Sequence, residues 1–253
     1  QTAPGVNGFV SPRRGSPERL CSRFDVEDFQ LTLGMVFAFL FGLALGSFLN
    51  VCIYRIPLKK SIVRPRSSCP GCGAEIRFYD NIPILSYFML LGRCRQCGTP
   101  ISLRYPLVEM MIGLLSALLF LQLGPSPKYL FLLFFTGALI AIAFIDLEHK
   151  IIPDVISLPG IVVGLAFSFF PSAGISPVDA LIGAVGGGSF LFLVGVVFEK
   201  LTGREGMGGG DVKLLAMIGA WMGWKALPFI VLLSSLSGAV IGVLSLLIAK
   251  QGM

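Results

Sequence analysis

Long apolar segments separated by short polar connections dominate the hydropathy pattern of this 253-residue chain. The first of them, residues 31–54, contains no Asp, Glu, Lys or Arg. A helix needs roughly 20 apolar residues to cross the hydrocarbon core of a bilayer. The pattern therefore predicts an all-α polytopic membrane protein with about seven transmembrane helices. We place them at residues 30–54, 105–123, 129–146, 155–171, 178–198, 212–227 and 228–249.

The sixth segment is the weakest of these predictions. Lys213 and Lys225 enclose an apolar run that is too short to cross unless both side chains extend to the two interfaces. The connections between segments contain Gly, Pro and Ser, as at 124–127 and 171–177, which is typical of turns between antiparallel helices. We expect residues 105–253 to form one helical transmembrane domain.

Composition supports a membrane protein. The mean hydropathy is +0.83 and 13% of the residues are charged, against about 25% in ordinary soluble domains. The net charge of +6 does not indicate a nucleic-acid partner, because the basic residues lie in the connections and not along one amphipathic face. The expected surroundings are instead a lipid bilayer.

The loop at residues 55–104 carries nine of the 20 basic residues, against only Glu75 and Asp80. By the positive-inside rule this loop is cytoplasmic and the amino terminus lies outside. Counting crossings then brings Asp146 and Asp211 to the same cytoplasmic face. The basic residues of the loop are Arg55, Lys59, Lys60, Arg64, Arg66, Arg77, Arg93, Arg95 and Arg104.

Residues 1–28 are polar and rich in Pro, Gly and Ser, and they lack the apolar core of a cleavable signal peptide. We expect a mobile tail. The chain begins with Gln1 and its first methionine is Met35, so part of the tail is a candidate remnant of processing.

Four cysteines in the loop have the spacing of a metal site. Cys69 and Cys72 form one Cys-x-x-Cys pair, Cys94 and Cys97 form a second, and a glycine follows each pair. The spacing favours a four-thiolate zinc site over two disulfides or four free thiols, since a cytoplasmic loop is reducing. Four thiolates fill a tetrahedral shell, so the zinc would be structural.

Two acids at the ends of apolar segments are the candidates for catalysis. Asp146 follows the uncharged run 131–145, and Asp211 follows three glycines, Gly208, Gly209 and Gly210. Each has a plainer alternative: Asp211 could cap a helix, and Asp146 could pair with Lys150 one turn later. Two carboxyl groups brought together can instead share one proton, which is the chemistry of aspartyl peptide hydrolysis.

Competing catalytic machinery is absent from the sequence. The chain has no Gly-x-Ser-x-Gly or His-Glu-x-x-His motif. Its single histidine, His149, lies among charged residues and is expected to be solvated. The small residues at 186–189 (GGGS) lie in an apolar segment and predict close helix packing.

Several further motifs accompany the cysteine pairs: 46–57 (GSFLNVCIYRIP), 80–83 (DNIP), 104–109 (RYPLVE), 146–154 (DLEHKIIPD) and 208–211 (GGGD). With them the sequence resembles the type IV prepilin peptidases, the bacterial GxGD aspartyl proteases that serve type IV pili and type II secretion. The resemblance extends from residue 31 to the last apolar segment and leaves out the polar tail.

The resemblance implies a membrane aspartyl endopeptidase of the bacterial inner membrane. Its catalytic pair would be Asp146 and Asp211, with Gly208 and Gly210 as the fixed glycines of GxGD and Gly209 at the variable position. The substrate would be a prepilin or pseudopilin, cleaved on the cytoplasmic side after a glycine.

Many members with the large loop resemble bifunctional enzymes that also methylate the new amino terminus with S-adenosylmethionine. No glycine-rich nucleotide motif marks a site for this cofactor, so we assign it no residues. Glu109 and Asp80 are candidates for methyl transfer or substrate contacts. Their alternatives are pairing of Glu109 with Arg104 and a loop turn at Asp80, while Asp154 is expected to begin a helix.

Two other classes of function remain open at this point. The buried acids could carry protons or cations through a transporter, although the chain has no inverted halves. Alternatively, the cysteine loop could belong to an assembly scaffold without enzymatic activity. Neither the oligomeric state nor the identity of the pilin can be read from the sequence.

Overall fold

Eight α-helices follow one another along the described residues of the chain. The computed structural model describes residues 17–203 and 208–251, with side chains from residue 29 to residue 245 apart from 204–207. Within these residues the only β-structure is two isolated bridges in the loop. The helices are α1 (Pro17–Arg55), α2 (Leu85–Met89), α3 (Arg104–Leu123), α4 (Pro127–His149), α5 (Asp154–Phe167), α6 (Pro177–Thr202), α7 (Gly209–Met222) and α8 (Leu227–Gln251).

Helices occupy the seven predicted apolar segments, which confirms the predicted all-α membrane architecture, although fewer than seven of them have the length of a membrane span. In the described residues, five of them are long and apolar enough to cross a bilayer: α1, α3, α4, α6 and α8. Helices α5 and α7 have only 14 residues each. At 1.5 Å per residue each is roughly 21 Å long, shorter than a hydrocarbon core of about 30 Å.

Both short helices end before the predicted limits of 171 and 227. Helix α7 ends where Gly223 adopts a φ of +75°, outside the helical region. Helix α5 ends at Phe167, and a short 3₁₀ turn at Pro171–Ala173 follows it. Helix α1 begins earlier than the predicted span, at Pro17, because proline fits the first turn of a helix. Part of the segment 1–28 is therefore helical, and residues 1–16 lie outside the described residues.

Helices α1 and α3 pack closely through small residues. A Cβ atom on Gly42 would lie 2.6 Å from the Cβ of Ser116, and one on Gly46 would lie 2.7 Å from the Cα of Glu109. Glycine at these two positions lets the backbones approach, as is common in membrane helix pairs.

A buried polar cluster joins α1, α3 and α4. The Ser116 hydroxyl donates to the backbone carbonyl of Ala38 at 2.6 Å and lies 2.7 Å from the hydroxyl oxygen of Tyr129. Ser116 is fully buried and Tyr129 nearly so. Such hydrogen bonds fix neighbouring helices where water is absent.

Helix α7 is held between α5 and α6 by glycine contacts. A Cβ atom on Gly183 of α6 would overlap the backbone of Gly219, and one on Gly164 of α5 would lie 2.6 Å from the Trp221 ring. Trp221 also stacks on Phe135 of α4, with ring centroids 4.6 Å apart. These contacts keep the short helix in place despite its length.

The predicted packing of residues 186–189 is confirmed only in part. A Cβ atom on Gly187 would lie 2.9 Å from the carbonyl oxygen of Leu215, and one on Gly188 would lie 3.4 Å from the Cβ of Ala216. Gly186 has no such neighbour within 4 Å. Its position on α6 faces away from α7.

The two ends of the bundle differ in their polar contacts. At one end Arg104 pairs with Glu148, and Lys213 pairs with Asp154 at 2.7 Å. We call this end, where the cysteine loop (residues 55–104) also lies, the loop face. At the opposite end the Trp224 indole donates to Asp179 at 2.9 Å. Asp146 and Asp211 both belong to the loop face.

Candidate active site and metal site

Asp146 lies in the last turn of α4, three residues before the helix ends. The helix stops because Lys150 adopts a left-handed φ of +55° and its N–H donates to the carbonyl of Asp146. Asp146 is half-buried. Among the ion pairs of the described residues, none joins Asp146 to Lys150, so this alternative for Asp146 is wrong.

Asp211 lies in the first turn of α7. The residue that caps this helix is Gly208, and no side chain donates or accepts a capping hydrogen bond there. The capping alternative for Asp211 is therefore wrong. Its carboxylate is exposed at the loop face, where a helix N-terminus favours negative charge.

The charge of Asp146 acts on Asp211, so the two carboxyl groups lie within electrostatic range of each other. They come from helices that are separated by α5 and α6 in the chain. In general, carboxyl groups that are brought close together can share one proton, because both cannot remain ionised at low cost. This arrangement is suited to acid–base chemistry at one point of the loop face.

The glycines before Asp211 have different surroundings. A Cβ atom on Gly210 would lie 2.9 Å from the Cβ of Ile152, which is tighter than ordinary contact. One on Gly209 would meet nothing within 4 Å, and one on Gly208 would lie 3.7 Å from the Asp211 carboxylate. Gly210 thus lets the segment after Asp146 lie against the start of α7.

An ion pair beside the aspartates links α5 to α7. Lys213 donates to both carboxylate oxygens of Asp154 at 2.7 Å. Asp154 begins α5, as predicted, and Lys213 follows Asp211 by two residues. The pair is partly exposed, so its effect on stability is small, but it fixes the relative position of the two helix starts.

The four loop cysteines converge on one point. The sulfur atoms of Cys69, Cys72, Cys94 and Cys97 all lie within 4.8 Å of one another. The Sγ atoms of Cys69 and Cys97 are 3.7 Å apart, close to the separation of about 3.8 Å that Zn–S bonds of about 2.3 Å give in a tetrahedron. The cluster could hold a metal ion. None of its cysteines forms a disulfide.

Each cysteine pair forms the same tight turn. Gly73 and Gly98 have φ angles of +73° and +68°, and their N–H groups donate to the carbonyls of Cys69 and Cys94. Side chains rarely adopt such φ angles, which explains the glycine after each pair. The backbone N–H groups of Cys97 and Gln96 point at the Cys94 sulfur and lower the pKa of its thiol.

Cys97 is also prepared for metal binding. The hydroxyl of Thr99 and then its backbone N–H interact with the sulfur and lower the pKa of the Cys97 thiol to about 6. A thiolate, not a thiol, is the metal ligand. At Cys72 the Ala74 N–H acts in the same direction, but the hydrogen bond to the Cys97 sulfur and other effects raise the pKa of the Cys72 thiol to about 11, so Cys94 and Cys97 are the thiols that this loop favours as thiolates.

Glu109, Asp80 and Arg104 have partners that the sequence did not indicate. Glu109 is buried, and its carboxylate accepts a hydrogen bond from the Ile84 N–H at 2.7 Å. Arg104 pairs with Glu148, not with Glu109. Asp80 binds Arg95 through both carboxylate oxygens, and this hydrogen-bonded cation lowers the pKa of the Asp80 carboxyl group.

Two residues of the loop face, Arg55 and Asn50, have structural roles that the sequence did not indicate. Arg55 is buried and donates to the backbone carbonyls of Ser61 and Arg66, which attaches the cysteine loop to α1. Asn50 is buried one turn earlier. The only signal for them was their place in the motif at 46–57. His149 is exposed, as expected.

Two family models match the chain in succession. Residues 40–123 match the Bacterial Peptidase A24 N-terminal domain, and this range includes the second part of α1, the cysteine loop and α3. Residues 133–243 match the Type IV leader peptidase family and include both aspartates. None of the solved structures matches the chain.

Curated relatives match over most of the chain, and each is named a prepilin leader peptidase/N-methyltransferase. One from Myxococcus xanthus is 46% identical over 84% of this chain and 63% of its own length, so the chain spans slightly less than two thirds of that relative. One from Aeromonas hydrophila is 44% identical over 81% of this chain and 79% of its own length. One from Burkholderia pseudomallei is 38% identical over 94% of this chain and 85% of its own length. By these matches, the chain belongs to the type IV leader peptidase family.

Proposed function

We propose that this chain is a membrane aspartyl endopeptidase that removes the leader of prepilins or pseudopilins, with Asp146 and Asp211 as its catalytic pair. The observation that carries the proposal is that α4 and α7 place these two carboxyl groups at the same face, where the charge of Asp146 acts on Asp211. Family membership supports the reaction, and the names of the relatives give no support to the transporter alternative.

One carboxylate of the pair accepts a proton from a water molecule, whose oxygen bonds to the scissile carbonyl carbon. The other, protonated, donates a hydrogen bond to the carbonyl oxygen and stabilises its developing negative charge. Collapse of the tetrahedral intermediate breaks the C–N bond, and the leaving amine takes up a proton. The pair returns to its singly protonated state.

The substrate is a short leader followed by an apolar helix, cleaved after a glycine. The excess of basic residues in the cysteine loop supports a cytoplasmic loop face in the bacterial inner membrane. An extended leader approaching from the cytoplasm meets both aspartates where the apolar helix enters the bilayer. The open space around Gly209 leaves room for its backbone beside Asp211.

Zinc at the four cysteines has a structural role in this proposal. Four thiolates leave no coordination position for water or substrate. The metal joins the two tight turns of a loop that has little secondary structure of its own. It therefore fixes the shape of the loop face beside the aspartates.

The enzyme also methylates the new amino terminus. When bound, S-adenosylmethionine would supply an electrophilic methyl group for the new amine. The relatives' names support this second activity, and the cysteine loop is the part of the chain beyond the peptidase helices that can serve it.

The aspartate pair is tested by co-expressing the chain with a prepilin and measuring leader removal by gel shift. Asp146→Asn and Asp211→Asn are each expected to lower cleavage by about 100-fold or more, since each removes acid–base function. Asp179→Asn, at the opposite end of the bundle, is the matched control and is expected to cleave within about threefold of wild type. Near-normal cleavage by either first variant would contradict the pair.

A further inference from the structure

A large cavity lies at the loop face, between the ends of α1, α3 and α4 and the cysteine loop. Its volume is about 900 Å³, at the upper end of the range for small-molecule sites. Residues from all four parts line it, among them Asn50, Tyr54, Tyr105, Glu109 and His149. The cavity reaches the end of α4, where His149 follows Asp146 by three residues.

Asn50 gives the cavity an unused hydrogen-bond acceptor. The residue is 1% exposed, and its amide nitrogen donates to the carbonyl of Tyr105 at 3.0 Å. Its side-chain oxygen has no partner, and neither has the Nε atom of Arg104, which lines the same cavity. Buried polar atoms are rarely left without a partner, so these two indicate a polar ligand.

Glu109 gives the cavity a buried carboxylate. The residue is 7% exposed, and the groups that hydrogen-bond to it, the Ile84 N–H and the Ser47 hydroxyl, are neutral. The ion pairs found in the described part of the chain leave Glu109 without a cation, because Arg104 pairs with Glu148. A buried carboxylate without a cation favours a positively charged ligand.

We propose that this cavity binds S-adenosylmethionine, with Glu109 supplying negative charge to the cationic ligand and Asn50 supplying the free acceptor. The ligand combines a positive sulfonium, N–H and O–H donors for the Asn50 oxygen, and a carboxylate for an arginine donor. The inference rests on the proposed methylation. It also explains how the new amine, formed at the aspartates, comes close to the methyl donor without crossing the bundle.

The test measures equilibrium binding of S-adenosylmethionine to the purified, zinc-containing full chain in detergent. Glu109→Gln keeps an acceptor for the Ile84 N–H but removes the charge. It is expected to weaken the binding of S-adenosylmethionine by about tenfold or more. 5′-Methylthioadenosine shares the nucleoside and the methyl-bearing sulfur but is an uncharged thioether, and its binding should weaken by less than about threefold. Asn50→Ala should weaken the binding of both ligands. Zinc content and the thermal unfolding midpoint verify that each variant is folded.

Asp146→Asn is the control that separates this inference from the peptidase. It is expected to abolish leader removal and to leave the Kd of S-adenosylmethionine unchanged. Wild-type protein that cleaves prepilin but does not bind the ligand at millimolar concentration would overturn the inference and leave the peptidase proposal standing. Wild-type affinity of the Glu109→Gln variant for S-adenosylmethionine would also overturn the inference. If that variant instead raises only the KM for prepilin, the cavity belongs to the peptide substrate, and the inference is again overturned.

Discussion

At the scale of single residues, Gly209 and Gly210 show how neighbours in one motif have different roles. Gly210 faces Ile152 so closely that a Cβ atom would lie 2.9 Å from the Ile152 side chain, whereas Gly209 faces open space. The contact brings the segment after Asp146 against the start of α7. We therefore expect Gly210 to influence the separation of the two carboxyl groups without taking part in the proposed chemistry.

Gly210→Ala is expected to lower leader removal by about tenfold or more, because a displacement of about 1 Å at a catalytic pair can cost up to 100-fold. Gly209→Ala, its matched control, should stay within about threefold of wild type. Cleavage of a prepilin by purified enzyme, compared at equal amounts of folded protein, measures both. Equal activity of the two variants would contradict a role for the Ile152 contact.

The same contact can be tested by compensation. Ile152→Ala removes the atoms that the new methyl group would meet, so the double variant Gly210→Ala/Ile152→Ala is expected to recover part of the lost cleavage. In a double-mutant cycle, residues in contact deviate from additivity. If the losses of cleavage in the two single variants simply add in the double variant, the effect of Gly210 does not come from the Ile152 contact and arises elsewhere, for example in the backbone of α7.

At the scale of helices, the position of α7 depends on close glycine contacts and not on length. With 14 residues it is too short to cross a bilayer on its own. Gly183 and Gly219 let the backbones of α6 and α7 touch, and Trp221 fills the space between α4 and α5. Because α7 carries Asp211, the packing of α6 against α7 affects the position of the proposed active site.

Gly183→Ala is expected to destabilise the protein, by about 1–3 kcal/mol for an overpacked site and more if the helices cannot separate. Gly186→Ala lies on the same helix, where nothing is within 4 Å of the added methyl group. This control should be neutral or slightly stabilising, since alanine favours helix over glycine by about 0.5–1 kcal/mol. Thermal unfolding in detergent, followed by circular dichroism, distinguishes the two; equal midpoints would contradict the packing argument.

At the scale of the whole molecule, the cysteine loop and the helical bundle meet at one face. Arg55 fastens the loop to α1, Glu109 fastens it to α3 through Ile84, and the cysteine cluster closes its two turns. A loop with so little regular structure has few other interactions to fix its shape. Its order therefore depends on the metal that the four thiolates are proposed to hold.

We expect wild-type protein to contain about one zinc ion per chain, as measured by elemental mass spectrometry. Replacing Cys94 and Cys97 by serine should abolish bound zinc and make the loop sensitive to added protease. Cys52→Ala, which changes a buried cysteine of α1 remote from the cluster in sequence, should retain zinc. A full zinc content in the double serine variant would exclude the cluster as the site.

Much of this architecture could be predicted from the sequence because it follows from local chemistry. Uncharged runs such as 31–54 must become helices in a bilayer, since no other open structure satisfies their backbone groups. The two Cys-x-x-Cys pairs with their glycines likewise encode two tight turns. The partners of Arg104 and Glu109 could not be predicted, because Arg104 reaches Glu148 across 44 positions of the chain.

The sequence by itself determined that the chain is helical, that it belongs in a membrane, and which residues carry its candidate chemistry. These properties depend on residue type and short spacing. Only the tertiary structure decided that Asp146 and Asp211 interact, that Gly210 and not Gly209 is in close contact, and that Asn50 and Glu109 share a cavity. Each of these depends on contacts between helices distant in sequence, where packing at distances below 4 Å selects one arrangement from many that the same hydropathy pattern would allow.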